Sequence, residues 1–166
     1  MKPIKKDSRI SLKDTQIGNL TNRITFISKA IQRLTKLQII YFANSPFTYD
    51  NIAVDWEDAN SDYAKQYENE ELSWSNLKDL TDVELYNCPN MTQLPDFLYD
   101  LPELQSLNIA CNRGISAAQL KADWTRLADD EDTGPKIQIF YMGYNNLEEF
   151  PASASLQKMV KLGLLD

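Results

Sequence analysis

The chain has no histidine among its 166 residues, which removes the commonest general base in proteins. No Cys–His nucleophile pair can therefore form within it. Two cysteines, Cys88 and Cys111, are too few for a disulfide framework or a metal quartet, and they leave the redox compartment open. The five glycines include no glycine-rich phosphate loop. No apolar run approaches the roughly 18 residues that cross a bilayer. The opening MKPIKKDSRI is basic with no apolar h-region behind it, so it does not read as a signal peptide.

Positive charge is also scarce, and the net charge is −7. From Thr48 to Asn76, Asp50, Asp55, Glu57, Asp58, Asp62, Glu68, Glu70 and Glu71 face Lys65 alone, so this segment holds the net charge of the whole chain. Phosphate backbones would be repelled there, which argues against nucleic acid as a partner. Acids are plentiful, but nothing singles out a pair for glycoside chemistry. The run Asp129, Asp130, Glu131, Asp132 lacks the alternating ligands and glycine of a calcium loop. The expectation is a protein that is not an enzyme, with no metal and no cofactor.

What the chain does contain is a pattern that recurs. In IQIFYMGYNNLEEFP, apolar residues at Ile137, Phe140 and Met142 lead to Asn145, then Leu147, Phe150 and Pro151. The same grammar runs through Leu101, Leu104, Leu107, Ile109, Asn112 and Ile115. It returns in Leu77, Leu80, Val83 and Leu85, with Cys88 in the asparagine slot and Met91 beyond it. Upstream, Leu34, Leu37, Ile40 and Phe42 lead to Ser45, and Ile10 and Leu12 lead to Thr15, Ile17 and Leu20. At the end stand Leu156, Met159, Leu162 and Leu164. The second apolar strand residue falls at Leu12, Phe42, Leu85, Ile109, Met142 and Leu164, at intervals of 30, 43, 24, 33 and 22 residues.

These motifs make the chain resemble the leucine-rich repeat family, over nearly all its length outside two insertions. The resemblance implies an α/β leucine-rich repeat solenoid: a right-handed superhelix with a parallel concave sheet and an irregular convex side carrying helices. It implies one domain, 1–166, of about six irregular repeats. The stretches LTDVELYNCPNMTQLPDFL, NIACNRGIS and MGYNNLEEFP are also similar to the repeat region of large leucine-rich repeat proteins of gut bacteria. That likeness implies a cell-envelope or secreted recognition protein and brings no catalytic residues. Such proteins are far longer, so the chain is expected to be an excerpt of a longer solenoid. Its last repeat would then be bare, and would fray or self-associate.

Strand alternation gives the slot residue its role. Phe140 and Met142 point inward and Tyr141 outward. Where the chain then turns off the sheet, backbone N–H and C=O groups lose their partners. An asparagine both donates and accepts there, so Asn112 and Asn145 are expected to form a structural ladder, with Thr15, Ser45 and Cys88 as smaller substitutes. Burial in that slot would leave Cys88 inert, while Cys111 lies near a strand end.

The outward positions lie side by side on one extended face. Tyr41, Tyr86 and Tyr141 recur there, with Tyr144 at the margin and Asp82, Glu84 and Asn108 among them. Tyrosine offers apolar area with a polar tip at low entropy cost, so these seven residues are the candidate binding set. A protein partner is the first expectation, and a glycan or small ligand on Tyr86, Glu84, Asn108 and Tyr141 is the second. A spacer within a larger protein is the third. Membrane insertion is not expected.

Two insertions interrupt the repeats. In 48–76, Ile52, Trp56, Tyr63 and Tyr67 are spaced for one face of an acidic helix. Such a helix would pack on the rim, or dock a basic partner. In 116–135, Ser116 and Gln119 form a capping-box pattern ahead of Leu120, Trp124 and Leu127.

Overall fold

The computed structural model describes residues 9–12, 27–46, 48, 52–54, 72–131, 136–149 and 157–165. Alternating sequences such as IIYFA and DVELY place every second residue on one face, and they form strands in each repeat. The strands are β1 (Arg9–Leu12), β3 (Ile39–Ala43), β5 (Asp82–Tyr86), β6 (Ser106–Asn108), β7 (Ile139–Tyr141) and β8 (Leu164–Leu165). They pair in that order into one six-stranded parallel sheet. Two further short strands, β2 (Ile27–Ser28) and β4 (Ile52–Val54), pair parallel in a second small sheet.

The register stacks like on like. Ile40, Val83, Leu107 and Phe140 lie in one row, and all four are buried. Ahead of each strand, one carbonyl accepts two N–H groups from the next repeat. Gln38 O receives Thr81 and Asp82, Thr81 O receives Gln105 and Ser106, and Gln105 O receives Gln138 and Ile139. This link repeats whatever the spacing between strands, so repeats of 24, 33 and 43 residues share one sheet.

Among the described residues, the chain returns behind the sheet through short 3-10 turns and one long helix. Trp74–Asn76 and Asp96–Asp100 are such turns, and Trp74 stacks on Phe97 with ring centroids 4.2 Å apart. Helix α1 (Ala117–Asp129) buries Leu120, Trp124 and Leu127, and Trp124 meets Phe140 edge-to-face at 5.7 Å. Asp123 on the same helix is also buried. Its carboxylate accepts the Leu94 N–H at 2.9 Å and the Gln119 amide at 2.8 Å, tying the helix to the preceding turn. Burial raises its pKa, and the Leu94 N–H, the Gln119 amide and Arg126 work against that shift.

Three expectations need correction. Ile52 does not begin a helix: Ile52–Val54 is strand β4, because its backbone finds Ile27–Ser28 as a parallel partner. Trp56, Tyr63 and Tyr67 lie outside the described residues. Ser116 accepts from Gln119 N at 3.2 Å, but the Gln119 side chain goes to Asp123, so only half of the capping box forms. In the last repeat, Leu164 pairs with Ile139 and Leu165 with Phe140, so Leu165, not Leu162, sits in register with the core row of Ile40, Val83, Leu107 and Phe140. The turn decides this register: Leu162 N donates to Met159 O, as Leu80 N does to Leu77 O and Leu37 N to Leu34 O. Gly163 and Leu164 then share Gln138 O, which moves the strand three residues from the expected register.

Candidate functional site

The outer face of the sheet is built from the positions between the buried ones. Ile39, Asp82, Ser106, Ile139 and Leu164 form one row, and Tyr41, Glu84, Asn108 and Tyr141 form the next. Tyr86 follows Glu84 on β5, in register with Ala43 on β3. Register therefore brings Tyr41, Asp82, Glu84, Tyr86, Asn108 and Tyr141 together across four strands.

Glu84 is the hub of this face. Asn108 Nδ2 donates to Glu84 Oε1 at 2.9 Å, and Asn108 Oδ1 accepts the Ala110 N–H at 3.0 Å. Tyr41 lies beside Glu84 in the same row, and its pKa is raised, first by burial and then by the charge of Glu84 and hydrogen bonding to it. Tyr86 is raised too, first through its hydrogen bond with Cys111, with Tyr41 and Tyr144 as weaker neighbours. Asp82 accepts from the Thr81 hydroxyl at 2.6 Å. The tyrosine spacing was readable in the sequence, but the role of Cys111 beside Tyr86 was not, because only the turn geometry joins them.

The face is bordered by the turns that leave the sheet. Asn112 makes the densest set of bonds there. Its Nδ2 donates to Leu85 O at 2.7 Å and Ile109 O at 2.9 Å, and its Oδ1 accepts the Cys88 N–H at 2.7 Å. Asn145 repeats the arrangement, donating to Ile109 O and Met142 O and accepting the Asn112 N–H at 2.6 Å. The Cys88 thiol takes the same slot, lying 3.9 Å from Phe42 O and 3.8 Å from Tyr86 O. Burial pushes its pKa up to about 11, and a hydrogen bond from the Ser45 backbone opposes this. Ser45 Oγ is 3.3 Å from Ala43 O. Thr15 lies outside the described residues.

The residue before each of these slots has a left-handed backbone. Asn44, Asn87, Cys111 and Tyr144 have φ of 54°, 51°, 64° and 58°. That conformation lets their N–H groups point to the neighbouring repeat: Asn44 N reaches Tyr86 O, Asn87 N reaches Ala110 O and Cys111 N reaches Gly143 O. Asparagine tolerates it, whereas cysteine and tyrosine are strained. Tyr144 is 78% exposed at this margin. Among the described residues, no group of three or more His, Cys, Asp or Glu side chains could hold a metal, and no helix is long and apolar enough to cross a membrane.

No protein-family model matches the chain, and no curated protein does. A solved leucine-rich repeat protein from Bacteroides eggerthii is 64% identical over 99% of this chain, with a TM-score of 0.83. The chain spans 26% of that protein's length. An internalin from Listeria monocytogenes is 15% identical over 87% of this chain and 38% of its own, with a TM-score of 0.40.

Proposed function

Since the chain belongs to the leucine-rich repeat family, we propose that it is a recognition module, not an enzyme, and that it binds a protein partner on the outer, concave face of its sheet. The observation that carries this reading is the composition of that face. Tyr41, Tyr86 and Tyr141 stand in adjacent rows around the Glu84–Asn108 pair, where a solenoid needs no aromatic side chains for its own core. Such rings supply contact area at low entropy cost. The absence of histidine and the upward shift of the Cys88 thiol favour binding over chemistry. Envelope or secreted placement is part of the same proposal.

The test is selection of peptide binders on the immobilised chain, followed by affinity measurements on variants. Tyr86→Ala and Tyr141→Ala should each weaken selected binders about tenfold, with little change in melting temperature. Asp100→Ala, an exposed change in the turn Asp96–Asp100 away from the sheet face, should leave affinity unchanged. Binders indifferent to both tyrosine changes would overturn the reading. A glycan array probed with the same variants tests the alternative, in which Tyr86, Glu84, Asn108 and Tyr141 hold a sugar.

A further inference from the structure

We infer that the flank of the solenoid carries a site separate from the sheet face, and that this site takes a neutral polyhydroxylated ligand such as a single pyranose residue. The site is a cleft of about 420 Å³ beside the segments that lead into β5, β6 and β7. That volume lies within the roughly 300–1,000 Å³ of small-ligand pockets. The described lining residues all come from these entry segments and none from a strand. Three observations carry the inference.

The first is what the cleft offers. Ser73 and Ser75 bring two hydroxyls, Asp100 a carboxylate and Lys136 an ammonium, while Leu101 and Pro102 supply apolar lining. A carboxylate only accepts hydrogen bonds, an ammonium only donates, and a hydroxyl does both. A polyol needs that mixture, because each of its own hydroxyls donates and accepts while its C–H groups need an apolar wall.

The second is that the protein holds these groups in place. Ser73 Oγ accepts the Ser75 N–H at 3.2 Å, and the two hydroxyl oxygens lie 2.8 Å apart. Lys136 Nζ donates to Pro102 O. The Tyr99 ring forms one wall, with the Arg126 guanidinium 3.7 Å from its centroid and its hydroxyl donating to Asp123 O at 3.4 Å. Groups already ordered lose little entropy when a ligand binds.

The third is charge. Asp100 and Lys136 line one cleft without pairing with each other, and among the described residues no ion pair or hydrogen bond takes up the Asp100 carboxylate. Glu103 lies 4.0 Å from Lys136. An anion would therefore face two carboxylates, and a cation would face the ammonium. A neutral ligand that hydrogen-bonds to both signs meets neither repulsion. An apolar ligand would desolvate the charges and hydroxyls without giving them partners.

The test titrates the isotope-labelled full chain with methyl β-glucoside, methyl β-galactoside and methyl α-mannoside, and with glycylglycine as a zwitterion, following backbone amide shifts. At least one glycoside should bind saturably, moving the amides of Ser75, Leu101 and Lys136 and leaving those of Glu84 and Tyr141 in place. Asp100→Ala and Lys136→Met should each weaken it about tenfold, and Ser75→Ala about threefold. Asp100 and Ser75 are exposed, so those two variants probe the cleft without disturbing the core. Glu84→Gln, on the sheet face, should change glycoside affinity less than about twofold. Saturable binding of none of the three glycosides would overturn the site, as would equal affinity before and after Asp100→Ala. Tighter binding of glycylglycine than of every glycoside would overturn the neutral-ligand assignment. Shifts confined to the sheet face would also overturn the flank site, and would favour a sugar on that face instead. None of these failures touches the dependence of selected peptide binders on Tyr86 and Tyr141, which is measured separately.

Discussion

At the scale of single residues, the slot asparagines and the residues before them pull in opposite directions. Asn112 is fully buried and serves Leu85 O, Ile109 O and the Cys88 N–H at once. Removing its amide strands these groups in the interior, so Asn112→Ala should cost roughly 3 kcal/mol. Asn146 also bonds two carbonyls, Arg113 O and Ile115 O, but from an exposed position where water can replace it. Asn146→Ala should cost about 1 kcal/mol or less. Urea denaturation midpoints compare the two, and equal shifts would refute the assignment of the corner. Tyr144 shows the reverse case. A tyrosine with φ of 58° stores strain that glycine does not, so Tyr144→Gly should stabilise the fold by about 1 kcal/mol. The same change removes an exposed ring from the margin of the proposed binding face. Its melting temperature should rise while affinity for a selected binder falls, and a loss of stability would show that the ring packs usefully at home.

At the scale of the element, the tight unit is the turn between one strand and the next. A Cβ placed on Gly114 would lie 2.5 Å from Pro89 O and 2.6 Å from Met91 O. Both atoms are backbone of the preceding repeat, so neither can swing aside. Gly114→Ala should therefore force the two turns apart, at a cost of about 1–3 kcal/mol. Hydrogen exchange should locate the damage in the Met91 N–H, which bonds Cys88 O, and in the Ile115 N–H, which bonds Asn112 O. An unchanged exchange pattern would mean that the repeats are less closely stacked than these distances require. The sequence NIACNRGIS marked the turn, but only the neighbouring repeat explains why its glycine must stay small.

At the scale of the whole molecule, two properties follow from stacking. The first is alkaline instability. Burial holds the Cys88 proton in the folded state up to about pH 11, against an ordinary thiol value of 9.0. The folded chain therefore binds more protons than the unfolded chain in that window. Stability is complete below pH 9 and falls as pH rises toward 11, by at most about 1.4 kcal/mol per unit. Tyr99, raised mainly by burial, acts in the same direction at higher pH. Cys88→Ala should flatten the 9–11 portion of a stability–pH curve. In the folded protein, thiol reagents should label Cys111 well before Cys88, and simultaneous labelling would contradict the burial. The second property concerns β8. Val160 is 75% exposed, Leu164 43% and Leu165 40%, and among the described residues only β7 pairs with this strand. Light scattering should show association that rises with concentration and is reduced by Leu164→Lys. A concentration-independent monomer would refute it.

The sequence by itself determined the repeat and its core rows from β3 to β7, because these depend on local alternation. Ile40, Val83, Leu107 and Phe140 could be aligned before any coordinates, since a strand's period of two leaves little choice of face. Tertiary structure decided the rest. It moved the last strand by three residues, because the run Leu162–Leu165 satisfies either register in apolar pattern and the Met159 turn selects one. It turned Ile52 into a strand, because a backbone partner at Ile27 outweighed helical spacing. It buried Asp123, whose cost is offset by the Leu94 N–H of a turn in another repeat together with the Gln119 amide of its own helix. It made Glu84 the centre of the outer face, because Tyr41 and Asn108, which flank it, are 43 and 24 positions away and meet it only through the parallel register.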